Sequence, residues 1–240
     1  MRPFSILLLA SLLASTPHAL ANVVIAGTRV IYQADKKEVT LQLSNVGSQP
    51  ALVQTWVHGK DDARLPDDSE APFMVMPPIT RIGPGRSQTL RITYTGEPVP
   101  EGRESVYWLN VLDIPPRPTD IGAKNYLQVS IRSKIKLFFR PAELQGSPST
   151  AAGQLEWSLS TRAGKTVLKV TNPSLYYVSL SSVELDLGAH LLSAGSGMVA
   201  PGQALELPLD GTVRSEQGKA TVRYTWINDH GAAIPASKAL

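Results

Sequence analysis

The sequence predicts an all-β protein of two similar sandwich domains, on three observations: short strand-like runs divided by turn residues, no sustained helical period, and an internal repeat. Its 240 residues exceed one typical domain, and 42% apolar with 18% charged content suits a chain that buries real cores. The strand-like runs are Val39–Leu43, Ala51–Val57, Thr89–Tyr94, Ser105–Leu112 and Leu127–Phe139, each rich in β-branched or aromatic residues and bounded by Gly, Pro, Asn or Asp. The 18 glycines and 19 prolines fall mostly between such runs, as turn punctuation does in an antiparallel protein.

The repeat has two parts. Leu41-x-Leu43-x-Asn45 returns as Leu168-x-Val170-x-Asn172, 127 residues later. Pro84-Gly85 followed by Leu90 and Ile92 returns as Pro201-Gly202 followed by Leu207 and Leu209, 117 residues later. The two offsets agree on units of about 100 residues, the size of an immunoglobulin-like sandwich with its short strands and frequent turns. Between them, Pro141 to Gly153 loses the strand pattern to Gly, Ser, Pro, Thr and Ala. The expected division is residues 22–142 for the first domain, 143–152 for a linker and 153–240 for the second.

Residues 1–21 belong to neither domain. Arg2 gives a positive start, Ile6 to Leu13 an apolar centre, and Ala19-Leu20-Ala21 a small-residue cleavage pattern, so a leader is expected to be removed before Asn22. No other run reaches the roughly 18 apolar residues that cross a bilayer, so an exported product without membrane insertion is expected. There is no cysteine, which excludes both lipid attachment and a disulfide framework; burial alone must hold the fold. Loss of Arg2 takes the formal charge from +3 to +2, and the basic residues are scattered, which argues against nucleic-acid binding.

Catalytic and metal-binding patterns are missing from the sequence. His18 lies in the leader, and His58, His190 and His230 lack metal-ligand spacing, so neither metal nor cofactor is expected. Phosphate-cradling loops, zinc-protease helices and nucleophile elbows have no match. Ser133-x-x-Lys136 fits a serine–lysine hydrolase pattern, but on an extended strand those two residues lie about 10 Å apart, beyond proton transfer. No enzyme is expected.

The run from Leu127 to Pro141 is the most unusual. Leu127, Val129, Ile131, Ile135 and Leu137 alternate with Gln128, Arg132, Lys134 and Lys136, and alternation alone is explained by a core face and a solvated face. Lys136 and Arg140, however, sit among Ile135, Leu137, Phe138 and Phe139, where a charge needs a partner or access to a cleft.

Ile135-Lys136-Leu137-Phe138-Phe139-Arg140-Pro141 resembles the signature of the periplasmic chaperones of the chaperone-usher pathway, which assemble pili. Other blocks fall in the same order: Arg29 within Gly27–Tyr32, the proline-rich turn Pro77–Gly85, Arg103–Asn110 with Ile114-Pro115-Pro116, Asn172–Val178, and Tyr224–Gly231. The resemblance covers nearly the whole chain after residue 21. It implies two immunoglobulin-like domains set as a boomerang with an interdomain cleft, and a location in the periplasm.

By the same resemblance, Arg29 and Lys136 would bind the terminal carboxylate of a pilus subunit, and Leu127, Val129 and Ile131 would complete the subunit's fold by strand donation before delivery to an outer-membrane usher. Glu104, Arg140 and Asp229 would form a charged network fixing the domain angle. The short Arg117–Tyr126 segment and the lack of a cysteine pair resemble the subfamily that serves rod-like pili, and Phe139 stands where tyrosine is common. An unloaded chaperone with so apolar an edge is expected to shield it by self-association. A two-domain adhesive module is the alternative: it would bind without regard to a partner's chain end.

Overall fold

The structure is a computed structural model that describes residues 22–59, 71–117, 127–162, 164–188, 190–211 and 220–240. The expected leader, residues 1–21, lies outside the described residues, as does nearly all of the Arg117–Tyr126 segment.

Among the described residues the first unit contains nine strands: β1 (Val23–Ile25), β2 (Arg29–Gln33), β3 (Val39–Asn45), β4 (Ala51–His58), β5 (Phe73–Met76), β6 (Ile79–Ile82), β7 (Ser87–Tyr94), β8 (Ser105–Ile114) and β9 (Ile131–Arg140). They form a four-stranded sheet, β1-β3-β7-β5, and a five-stranded sheet, β2-β9-β8-β4-β6. Alternation decides which side chains enter the space between them. Leu41 and Leu43 from β3, Leu90 and Ile92 from β7, and Leu109 and Leu137 from the facing sheet are all buried. An aromatic cluster closes one end: Phe139 stacks on Tyr32 at 5.8 Å and meets Tyr94 at 4.7 Å between ring centres. Phe139 is therefore packed wholly among rings, where a tyrosine hydroxyl would need its own partner.

Among the described residues the second unit has one helix, α1 (Pro148–Gln154), and seven strands: β10 (Glu156–Arg162), β11 (Lys165–Thr171), β12 (Val178–Asp186), β13 (Leu191–Val199), β14 (Ala204–Pro208), β15 (Thr221–Ile227) and β16 (Ala233–Ala239). The sheets are β10-β11-β14 and β13-β12-β15-β16. The helix was not anticipated, since it falls largely in the stretch expected as linker and is too short to show a period. Ser147 caps it by accepting from the Thr150 N–H, Pro148 opens it, and Ala151 and Ala152 are buried in the second core with Leu155 and Leu168.

The sequence repeat marks one structural device used twice. Asn45 is buried, donates from Nδ2 to the carbonyls of Gln49 (2.8 Å) and Ile82 (2.9 Å), and its own carbonyl accepts from Gly85 N–H at 2.9 Å. Asn172, also buried, donates to Tyr176 (2.7 Å) and Val199 (3.1 Å), and accepts from Gly202 N–H at 2.9 Å. Gly85 and Gly202 adopt φ of 65° and 67°, a left-handed turn conformation that costs a side-chain-bearing residue energy. Each asparagine thus ties the end of a central strand to the Pro-Gly turn through which the chain crosses from the opposite sheet into the neighbouring strand.

Candidate functional site

Strand β9 organises the site. It pairs antiparallel with β8 along its whole length, from Ile131 opposite Asp113 to Phe139 opposite Ser105. On its other edge, β2 runs parallel and covers only Lys136 to Arg140. Residues 131–135 therefore keep one edge without a neighbouring strand among the described residues. That is the state of a strand that can accept another chain.

Upstream, the strand begins later than the sequence pattern suggests. Leu127 to Ser130 are not in a sheet, although the alternation continues through them. The pairing partner explains this: continuing the register would place Val129 and Gln128 opposite Pro115 and Pro116, which have no N–H to donate. A side chain substitutes in part, with Gln128 Nε2 donating to the Pro115 carbonyl at 2.8 Å. Leu127 is 88% exposed, Val129 59% and Ile131 41%, whereas Ile135 and Leu137, of the same parity, are buried. The apolar series is thus half core and half bare surface.

Where β9 meets β2, the register sets Arg29 directly beside Lys136 on one face of the sheet. Both reach the second unit. Arg29 donates from Nη1 to the Ile227 carbonyl at 3.0 Å, and its guanidinium lies 5.5 Å from the Phe138 ring centre. Lys136 Nζ donates to Ser179 Oγ at 3.1 Å and lies 5.9 Å from the Trp108 ring centre. Burial draws the Arg29 pKa down, and the carboxylates of Asp229 and Glu104 pull it back up. Arg29 Nε is buried with no hydrogen-bond partner among the described residues.

Arg140 follows at the end of β9. Its Nε and Nη2 donate to Glu104 Oε1 at 3.0 and 2.9 Å, while Nη1 and Nη2 donate to the two oxygens of Asp229 at 2.8 and 3.0 Å. Glu104 Oε2 accepts from the Tyr177 N–H at 2.8 Å, and the Glu104 N–H donates to the Leu175 carbonyl at 2.9 Å. The guanidinium lies 5.1 Å from the Tyr176 ring centre. Such a fork of planar donors needs arginine; a lysine cannot serve two carboxylates this way. For the buried Glu104, desolvation pushes the carboxyl upward, opposed by Arg140 and the Tyr177 N–H. For Arg140, desolvation is outweighed by the bonds and charges of Asp229 and Glu104, so its pKa is raised.

The structure thus brings five of the residues singled out in the sequence to the junction of the two units: Arg29, Lys136, Glu104, Arg140 and Asp229. Leu127, Val129 and Ile131 lie upstream on the same strand path. Phe138 and Phe139 part company: Phe139 enters the first core, and Phe138 faces Arg29 and packs 6.1 Å from Tyr177. A small cleft runs here between Arg29, Phe138 and Arg140 on one side and Tyr177, Ile227 and Asp229 on the other. Gly231 sits tightly against the first unit, with φ of 83° and no room for a Cβ beside the Thr28 hydroxyl.

Sequence reasoning missed Ser179 altogether, and it gave Trp108 and Ile227 no role beyond lying in the Arg103–Asn110 and Tyr224–Gly231 blocks; contact at the junction is what selects them. Among the described residues no group of three His, Asp or Glu is placed to hold a metal ion.

Comparison with known proteins gives matches over most of the described chain. Residues 22–145 match the family described as pili and flagellar-assembly chaperone, PapD N-terminal domain, and residues 150–238 match pili assembly chaperone PapD, C-terminal domain. The chain is 44% identical to the chaperone protein FimB/FhaD of Bordetella pertussis, over 96% of this chain and 93% of that one. It is 39% identical to the probable fimbrial chaperone YadV of Escherichia coli, over 95% and 94% of the two chains. A crystal structure of YadV superposes with a TM-score of 0.79, covering 92% of this chain and 100% of that one at 38% identity. A chain from the structure of the Salmonella enterica SafA pilin in complex with the SafB chaperone superposes with a TM-score of 0.77, at 33% identity, over 93% and 99% of the two chains. Matched in both of its immunoglobulin-like sandwiches, the chain belongs to the PapD family of pilus-assembly chaperones.

Proposed function

We propose that this chain is a periplasmic chaperone that captures fimbrial subunits by adding a strand to them, holds each subunit by its C-terminal carboxylate, and passes it to an outer-membrane usher. The observation that carries the reading is continuity along one stretch of chain, from the exposed segment before β9 into β9 itself. Exposed Leu127, Val129 and Ile131 lead over an unpaired edge at 131–135 to the adjacent cations Arg29 and Lys136.

An incoming strand on that edge would satisfy the free backbone groups of β9 and cover the three apolar side chains. Its chain end would meet the two cations. A guanidinium and an ammonium suit the two oxygens of a carboxylate, and a half-buried setting makes that attraction stronger than at a fully hydrated surface. A pilin bound to a chaperone, as in the SafA–SafB complex, is the precedent among structural relatives. Residues 1–21 serve as an export leader removed before Asn22, and the mature chain acts by binding alone, without catalysis.

The test is co-expression with candidate fimbrial subunits and co-purification from the periplasm, comparing wild type with Arg29→Ala and Lys136→Ala. Each variant is expected to lose subunit yield at least tenfold while its circular dichroism stays unchanged. Equal yields from all three chains would end the carboxylate-anchor reading.

A further inference from the structure

A buried carboxylate in the first unit faces the start of the described chain. Asp113, near the end of β8, is 6% exposed, and the backbone N–H groups of Asn22 and Val23 donate to its carboxylate. Its Oδ1 is buried with no hydrogen-bond partner among the described residues. Two neutral amides are poor compensation for a carboxylate out of water, and burial holds this carboxyl above the usual range.

The amides are held in place from the other side. The Asn22 carbonyl accepts from the Val46 N–H at 2.8 Å, and Val23 pairs with Asn45 at the edge of the four-stranded sheet. Asp113 belongs to the five-stranded sheet, opposite Ile131, the first residue of β9. Any bond between Asn22 and Asp113 therefore clasps the two layers of the sandwich at the root of the exposed 127–131 segment.

We propose that Asp113 is the receptor for the new N-terminus: removal of residues 1–21 converts the Asn22 nitrogen into an ammonium that forms an ion pair with the Asp113 carboxylate and locks the first sandwich. The inference rests on the proposed cleavage between Ala21 and Asn22. Hydrolysis of that peptide consumes one water, leaves the carboxylate on the departing leader, and leaves Asn22 with a primary amine that is protonated at neutral pH. The nitrogen already donates to Asp113 as an amide. Cleavage adds a positive charge at the same atom and further N–H donors, one of which can serve Oδ1. Export and completion of the fold would then be one event, since the precursor carries the carboxylate without its counter-charge.

The experiment compares the periplasmic chain with one produced with Ala21 retained, each with and without Asp113→Asn, by urea denaturation. Retaining one residue moves the ammonium by about 3.5 Å and restores an amide at Asn22. Asp113→Asn is expected to raise the unfolding equilibrium constant of the chain starting at Asn22 by tenfold or more, and to have a several-fold smaller effect when Ala21 is present. The same loss in both backgrounds would overturn the ion pair.

If Asp113→Asn fails to fold, titration of the α-amino group in the wild-type chain decides instead. A pKa clearly above the ordinary α-amino range supports the pair, and an ordinary value refutes it. Mass analysis of the exported chain separates the two readings: a start other than Asn22 refutes the cleavage, whereas a start at Asn22 without coupling refutes only the receptor.

Discussion

Asn45 and Asn172 show how much one side chain can carry. Each is buried, and each spends its amide on backbone carbonyls, those of Ile82, Tyr176 and Val199 in buried bonds. Asn172→Ala strands the carbonyls of Tyr176 and Val199, so a loss of about 2–3 kcal/mol is expected, since each unsatisfied buried group costs about 1–3 kcal/mol. Urea denaturation followed by circular dichroism measures it; an unchanged midpoint would remove the bracket. These residues were visible in the sequence as a repeat, because a device used twice leaves the same letters twice. The bonds that make them necessary were not visible, since Val199 and Ile82 lie 27 and 37 positions away.

Among the elements, β9 divides by its neighbours rather than by its composition. The alternating apolar residues of β9 and of the segment before it read as one series, yet Ile135 and Leu137 are buried while Leu127 and Val129, upstream of the strand, are bare. The difference lies in Pro115 and Pro116, which end pairing on one side, and in the short reach of β2 on the other. Under strand donation the bare residues matter only to a partner. Leu127→Asp with Val129→Asp should abolish co-purification of a subunit and leave the melting temperature within about 2 °C, because neither side chain is buried in the free chain. A large fall in melting temperature would mean that the pair supports the fold instead. The converse miss is α1, whose seven residues are too few for periodicity and whose composition reads as linker until Ala151 and Ala152 are seen in the core.

At the scale of the whole molecule, the two sandwiches meet through Arg140, which joins Glu104 of its own unit to Asp229 of the other. Ion pairs of this kind are expensive to desolvate, so we propose that this network orients the two units more than it stabilises them. Arg140→Ala leaves Glu104 buried with only the Tyr177 N–H and should remove about 3 kcal/mol from the junction. Small-angle scattering should then show a larger, broader particle while circular dichroism keeps its strand signal; unchanged scattering would dismiss the orienting role. The exposed 127–131 segment also predicts self-association of the free chain. Light scattering over a concentration series should show mass rising with concentration, and the Leu127→Asp, Val129→Asp chain should stay monomeric.

Local chemistry was enough to determine the all-β class, the two-unit plan, the turn positions and the residues that carry charge in unusual company. Strand alternation, Gly and Pro placement and a repeated motif are local in the chain, and local patterns survive in sequence. Tertiary structure alone decided that Arg29 stands beside Lys136, that Phe138 and Phe139 face opposite ways into two different environments, that Ser179 and the Ile227 carbonyl reach the two cations, and that Asn22 meets Asp113. Apart from the neighbouring pair Phe138 and Phe139, whose surroundings come from distant strands, each of these joins residues tens to hundreds of positions apart. Register and domain docking set such contacts, and both depend on how whole sheets bury their apolar faces rather than on any single run of residues.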